Sequence, residues 1–376
     1  MAYTTIDDPS AFFQVATWTG DGSTSDRDIT NDGNSDLAPD LIWGACRTDV
    51  QHKHLTDSSR GFSTGNKELI TNGTNQEGDT GAVNTGAYGW LGPSITDGFK
   101  SSYGSVNNGY WNVNARTYVA WQWKVNGGTT ASNTDGDLTS TVQVNQTSGI
   151  SIFTYTGKDP IEPLDIGHGL GSAPDMFWIK RRNGGSRNWG VYHKDMDATP
   201  QNGYVRLNTT GAYAAASTWW RNEAPTSTII KTGEQADINQ PNDTFVGYAF
   251  KGIQGYSKFG KYSGNYSTST PYDGPFVYCG FQPAFVMIKR VDSANDWIVF
   301  DHKRDEDQGG NVCNPYIRGN TTDAEVNHFY TGVDMVSNGF KVRGYDGNAN
   351  ANGTYVYMAF AEHPFVTSTG IPTTAR

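Results

Sequence analysis

The chain has 376 residues and a formal net charge of −10, with only 28 Lys and Arg. Nucleic-acid affinity comes largely from clustered cations that release counterions, so this balance excludes a general phosphate-binding surface. Only 9 Leu and 8 Glu stand against 20 Tyr, 17 Phe, 11 Trp and 45 Gly, which excludes both a helical protein and a disordered one and predicts an all-β fold.

The chain opens Met1-Ala-Tyr-Thr-Thr-Ile-Asp-Asp8, with neither the basic nor the apolar region of a secretion signal. No stretch reaches the ~20 apolar residues of a membrane span. A first aromatic strand ends at Thr17-Trp-Thr-Gly20, an acidic loop follows at Asn31-Asp-Gly-Asn-Ser-Asp36, and a second strand begins Leu37-Ala-Pro-Asp-Leu-Ile-Trp43. Next come His52-Lys53, a hairpin start at Gly98-Phe-Lys100, the aromatic pair Tyr110-Trp111 and the strand Thr117-Tyr-Val-Ala-Trp-Gln-Trp123. Residues 126–149 are polar and rich in Gly, Thr, Ser and Asn, and read as a linker.

The same landmarks then return. Thr154-Tyr-Thr-Gly157, Ser172-Ala-Pro-Asp-Met-Phe-Trp178, His193-Lys194 and Thr244-Phe-Val-Gly-Tyr-Ala-Phe250 form a second series. Lys261-Tyr-Ser-Gly264, Phe281-Gln-Pro-Ala-Phe-Val-Met287, His302-Lys303, Gly339-Phe-Lys341 and Thr354-Tyr-Val-Tyr-Met-Ala-Phe360 form a third. The prolines precede the closing aromatics by 79, 71 and 72 residues. The repeat is thus about 110 residues, the size of a compact β-sandwich and longer than a propeller blade of ~40–50 residues. The predicted architecture is three tandem antiparallel β-sandwich units, at 1–125, 150–254 and 255–376, with a short, stiff second junction near Gly252–Gly255. Trp43, Trp121, Trp123, Trp178, Trp189 and Trp297 lie in repeat strands and are assigned to the core. Asn-Gly and Asp-Gly pairs, Asn108-Gly109 among them, mark the hairpins.

Several residue patterns bear on chemistry. The recurring pairs at His52, His193 and His302 offer imidazole beside ammonium, suited to an anionic sugar or to proton transfer, or are strand ends kept by duplication. His52-x-His54 gives two nitrogens of a metal clamp without an identifiable third ligand. Asp32, Asn34 and Asp36 alternate around a glycine as calcium ligands can, although the Glu that closes an EF-hand loop is missing; a plain polar hairpin is the competing reading. Tyr110, Trp111, Trp219, Trp220 and Arg221 lie in turn-rich segments and form a candidate surface for stacking on sugar faces. The carboxylates Glu162, Glu223, Glu306 and Glu325 do not recur between units. With no nucleophile elbow, P-loop or His-Glu-x-x-His run, the sequence reads as non-enzymatic and without a cofactor, a structural calcium at the Asp32 loop being a candidate only. Three cysteines outside any C-x-x-C pair fit assembly in a reducing cytoplasm.

The opening Met1–Ser10 segment, the Ala-Pro-Asp-x-x-Trp strands and the ending Tyr355-Val-Tyr-Met-Ala-Phe-Ala-Glu-His-Pro-Phe-Val366 resemble structural proteins of marine, cyanophage-like tailed bacteriophages, often called tail fibre-like, that carry a repeated domain of undefined function. The resemblance spans essentially the whole chain and brings no catalytic residues. It implies a lectin-like or jelly-roll-like fold, a place in the virion after assembly in host cytoplasm, and other tail or capsid proteins as partners. It further implies host cell-surface polysaccharide as a ligand, and homo-oligomerisation is open. The first repeat strand starts near Phe12, leaving little room for an adaptor region, so capsid decoration stands beside tail-fibre attachment, and a glycan-cleaving tail enzyme is the third alternative.

Overall fold

The structure, a computed structural model, describes residues 3–62, 67–78, 85–106, 109–158, 164–269, 272–304 and 312–373. Apart from one short α-helix, Ser217–Trp220, and brief 3-10 turns, its regular elements are antiparallel strands. Three large sheets share one strand order: opening strand, closing strand, proline strand, central strand. In the first sheet these are Phe13–Thr19, Thr117–Trp123, Leu41–Cys46 and His54–Asp57. In the second they are Ile150–Thr156, Thr244–Phe250, Met176–Arg181 and Gly190–His193. In the third they are Ser257–Ser263, Thr354–Pro364, Phe281–Arg290 and Trp297–Asp301. Register follows the sequence repeat, since Thr19 faces Thr117, Thr156 faces Thr244 and Ser263 faces Thr354.

The glycine after each opening strand has a steric reason. A Cβ on Gly20, Gly157 or Gly264 would sit 2.1, 2.2 or 2.0 Å from the carbonyl oxygen of Val113, Gln240 or Ala351. Only a residue without a side chain lets the chain pass so close to the segment before the closing strand.

Each large sheet is covered by a smaller one of two to four strands, built around Gly98–Ser102, Ile229–Thr232 or Gly339–Gly344. Two of these begin with the Gly-Phe-Lys hairpins and one with the Ile-Ile-Lys that replaces them. The large sheets are buried on both faces, which explains why their strands lack a clean polar alternation. Ile42, Tyr118 and Ala120 point into the first sandwich, with Phe99 of its small sheet. Their neighbours Trp43, Val119 and Trp121 point the other way, into a core shared with Trp178, Phe250, Phe285, Met358 and Phe360. All six tryptophans assigned to the core are buried. Phe360 has ring centroids of Phe13, Trp123, Phe250 and Phe285 within 5.1–6.4 Å, so rings from all three sheets meet there. The units therefore do not hang as beads on linkers. Residues 126–149, read as a linker, carry the strands Ala131–Asn133 and Ser140–Asn145, which extend the second large sheet. Their polar composition reflects an edge position with one wet face.

The sheets close into a ring through three matching junctions. Between the first and second, Arg187 N donates to Thr74 O and Glu77 N to Arg182 O, both at 2.8 Å. Between the second and third, Asn295 N donates to Thr210 O and Tyr213 N to Val291 O, both at 2.9 Å. Between the third and first, Gln51 N donates to Thr322 O at 2.9 Å and Glu325 N to Arg47 O at 2.8 Å. A buried lysine seals each one: Lys180 Nζ donates to Thr74 O (3.0 Å), Lys289 Nζ to Thr210 O (2.8 Å) and Lys53 Nζ to Asp323 O (2.6 Å). Lys180 and Lys289 lie on proline strands, Lys180 with its Nζ 6.0 Å from the ring centroid of Trp189 just before the central strand and Lys289 opposite Trp297 on the central strand. In the first unit the proline strand has Ala45, and Lys53 beside the central strand supplies the ammonium instead. Burial pushes Lys180 and Lys289 down to about 7 and Lys53 to about 8.

Two junctions hold the same buried charge network. Arg60 lies between Asp57 and Glu77, Glu77 pairs with Arg182, and the Tyr248 hydroxyl donates to Asp57 at 2.7 Å. Likewise Arg304 lies between Asp301 and Glu325, Glu325 pairs with Arg47, and Trp121 Nε1 donates to Asp301 at 2.9 Å. At the third junction the register places His193, Met196, Tyr213, Val291 and Met358 in these positions, and the charges are gone together. Removing all members at once avoids stranding an unpaired buried ion.

Candidate ligand-binding clefts

The pairs read as recurring His-Lys are not equivalent in the fold. His193 ends its central strand opposite Met176, in the place held by Asp57 opposite Leu41 and Asp301 opposite Phe285. His302 is one residue beyond that place and His52 five before it. His193 is buried at a junction, where Nε2 lies 3.2 Å from Tyr357 O and Nδ1 accepts from Asp195 N at 3.1 Å. Burial pushes it down to about 4 and does the same to His168. An unfolded imidazole takes its proton near pH 6.5, so between about pH 6.5 and 4 the unfolded chain binds more protons and stability falls as pH falls. Each histidine is expected to contribute on the order of 2–3 kcal/mol to that loss. Thermal unfolding followed from pH 7 to 4.5 should show the fall, and His193→Gln should make it shallower.

The remaining predicted residues scatter. His52 is half-buried with its Nδ1 3.1 Å from Asn72, and its neighbour His54 turns inward to Glu68 at 2.9 Å. The two imidazoles thus face different partners and do not form a clamp. Trp111, Trp219 and Trp220 are buried, which overturns their reading as a contact surface. The helix Ser217–Trp220 turns its two indoles inward, where Trp219 stacks on Tyr204 at 3.9 Å and Trp220 meets Phe177 edge-on at 4.9 Å. Tyr110 is half-buried against His54. Arg221 caps the short helix with φ of 57° and pairs with Asp165. Glu162, Glu306 and Asn108 of the Asn-Gly pair lie outside the described residues. Cys46, Cys279 and Cys313 are all buried.

Equivalent positions at the rim of the three junctions form the most site-like features. In each case the end of a central strand and the end of a closing strand of one sheet face the start of the next sheet's opening strand. Between the first and second sheets the space is filled. Asp40 accepts from Ser58 Oγ (2.7 Å), Val125 N (2.7 Å), Gly127 N and Gly128 N (both 3.0 Å), and Gln143 accepts from Asn126 N (3.1 Å). The insertion at 126–149 thus occupies its own junction.

Between the third and first sheets the space is an open cleft. It brings His302 beside Asp32 and Asn34, residues from two separate predictions, along with Lys303, Glu362 and His363. Lys303 Nζ donates to Asp32 at 2.8 Å. His302 Nδ1 is 4.0 Å from Glu362 and has no hydrogen-bond partner among the described residues, and burial lowers its pKa. Asp36 is exposed on the same loop. Among the described residues no three His, Cys, Asp or Glu side chains converge as metal ligands. The loop reaches the cleft through an ion pair with a lysine.

Between the second and third sheets lies the other open cleft, and its chemistry differs. Asp175, equivalent to Asp40, accepts from Gly252 N at 2.7 Å and faces Lys194 at 3.1 Å and Lys251 at 3.2 Å. Lys258 Nζ donates to Tyr278 O at 2.7 Å and stands 4.9 Å from the Tyr278 ring centroid. No run of adjacent residues marks this group. The one available signal was the Pro-Asp of Ala-Pro-Asp-Met, whose counterpart in the third unit reads Pro-Ala.

This architecture defines the class: an all-β protein of covered antiparallel sheets closed around a common aromatic core. The chain belongs to the family of a domain of unknown function, DUF7483, whose model matches residues 8–364. No curated protein and no solved structure matches the chain.

Proposed function

We propose that the protein is a non-enzymatic structural protein on the exterior of a phage virion, fibre-like, that contributes to attachment to host-surface glycan. The observation that carries this reading is the ring itself. Three sandwiches fixed on one core hold open clefts at their rim, with charged groups and exposed rings set on strand ends. That is the arrangement of a rigid display scaffold, and many copies on one particle would turn weak contacts into useful avidity. Two of the cleft carboxylates are held in ion pairs, Asp32 with Lys303 and Asp175 with Lys194 and Lys251, which supports a surface built for charge recognition.

Capsid decoration is the second reading, favoured by one feature. A single chain with three similarly built sides suits a place where three neighbouring subunits of a shell meet. Gold-labelled antibody on intact virions separates the two. Label confined to the tail is the expected result, label spread over the head makes decoration the function, and label absent from purified virions overturns both.

A further inference from the structure

We propose that the groove between the second and third sheets binds an acidic polysaccharide, one whose sugars carry carboxylate or sulfate groups. The inference rests on the attachment reading in taking the ligand to be a cell-surface glycan. Lys194, Lys251, Lys258 and Lys261 line this groove. Of the carboxylates among these lining residues, Asp175 is shared by two of these ammonium groups and by a backbone amide, and Asp195 stands at the far end, where beyond Lys261 the groove gives way to Asp197 and to Asp292, the latter paired with Arg290. The result is a local positive excess on a chain of net charge −10. Fixed cations on an otherwise repelling surface select a polyanion and place it.

Shape and apolar surface narrow the ligand further. The same Lys194, Lys258 and Tyr278 line both halves of the groove, so it is continuous and open along its length, as a chain polymer requires. Tyr278 and Phe276 are 50% and 49% exposed at its wall. An aromatic face there accepts the C–H face of a sugar ring while the acid group meets an ammonium. The cleft between the third and first sheets serves as an internal contrast. It has the equivalent position, yet Lys303 is neutralised by Asp32, and Glu362 stands beside it.

The test is affinity electrophoresis of the full chain through gels containing alginate, dextran sulfate, neutral dextran or single-stranded DNA, with binding to intact host cells measured on the same proteins. Retardation by alginate or dextran sulfate is expected, and which of the two is stronger identifies carboxylate or sulfate as the recognised group. Lys194→Glu combined with Lys258→Glu should weaken that retention by roughly tenfold or more, since two reversed charges face the polyanion. Lys303→Glu in the contrasting cleft should leave it unchanged, and matching thermal melts should show each variant folded. Equal retention by neutral dextran, equal retention by DNA, or a folded double variant that binds like wild type would each overturn the proposal. Cell binding without retention by either acidic glycan overturns the acidic ligand and leaves attachment standing, whereas loss of both overturns attachment as well.

Discussion

Arg60→Met is expected to destabilise the protein by about 3–5 kcal/mol, because it strands the buried carboxylate of Asp57 without a cation and leaves Glu77 with Arg182 alone. The guanidinium is buried, donates to Asp57 Oδ2 at 2.6 Å and reaches the Tyr248 hydroxyl across the junction at 3.2 Å. Methionine itself is not foreign to the position, since Met196 occupies the equivalent place between the second and third sheets. What differs is the set of partners. Transplanting that set, with Asp57→His, Glu77→Tyr, Arg182→Val and Tyr248→Met added to Arg60→Met, should recover most of the loss. Chemical denaturation of the single and the fivefold variant checks this. A fivefold variant no more stable than the single one would show that the charge network is not the unit that must be exchanged.

Phe360→Ala is expected to cost a similar ~3–5 kcal/mol, the range for removing a buried aromatic ring from a packed core. The shape of the transition is more informative than its midpoint. Phe360 belongs to the third sheet and stacks on Phe13 of the first at 5.1 Å. It also meets Phe250 of the second at 6.4 Å. The whole molecule should therefore melt earlier in a single calorimetric transition. Three independently folding sandwiches would instead lose one transition and keep two in place.

The strand repeat was legible in the sequence because each of its landmarks sits in or directly beside one strand and serves that strand's own geometry. The glycines at 20, 157 and 264, the prolines at 39, 174 and 283 and the closing aromatics all keep their equivalence in three dimensions. The junctions were not legible in the same way. Asp57 and Tyr248 are 191 residues apart, and nothing local to either announces the other. One clue did exist: Asp57-x-x-Arg60 and Asp301-x-x-Arg304 repeat the same spacing at the ends of two central strands. The His-Lys pairs drew attention from it although they fall out of register. Trp219-Trp220 misled for a different reason. Turn-rich flanks suggest exposure, but a single helical turn ended by Arg221 in the left-handed region is enough to reverse the direction of both rings. Residues 126–149 look like a linker because an edge strand with one solvated face has the composition of a loop. The lysine groove gathers residues 194, 251, 258 and 261 from two units, and only the closing of the ring places them together.

Because one chain makes the whole ring, dilution does not undo it. Three separate sandwiches with such junctions would associate by mass action, and their assembly would fall apart as concentration dropped. Here each sheet meets the next at the high effective concentration set by the chain that joins them. The assembled form therefore persists when a single copy drifts alone in a large volume. One chain also frees the three junctions from the identity that a symmetric trimer would impose, so one rim is filled, one is neutralised and one is left basic. The body then has a single distinguishable side, and a ligand that recognises that side fixes the orientation of the whole.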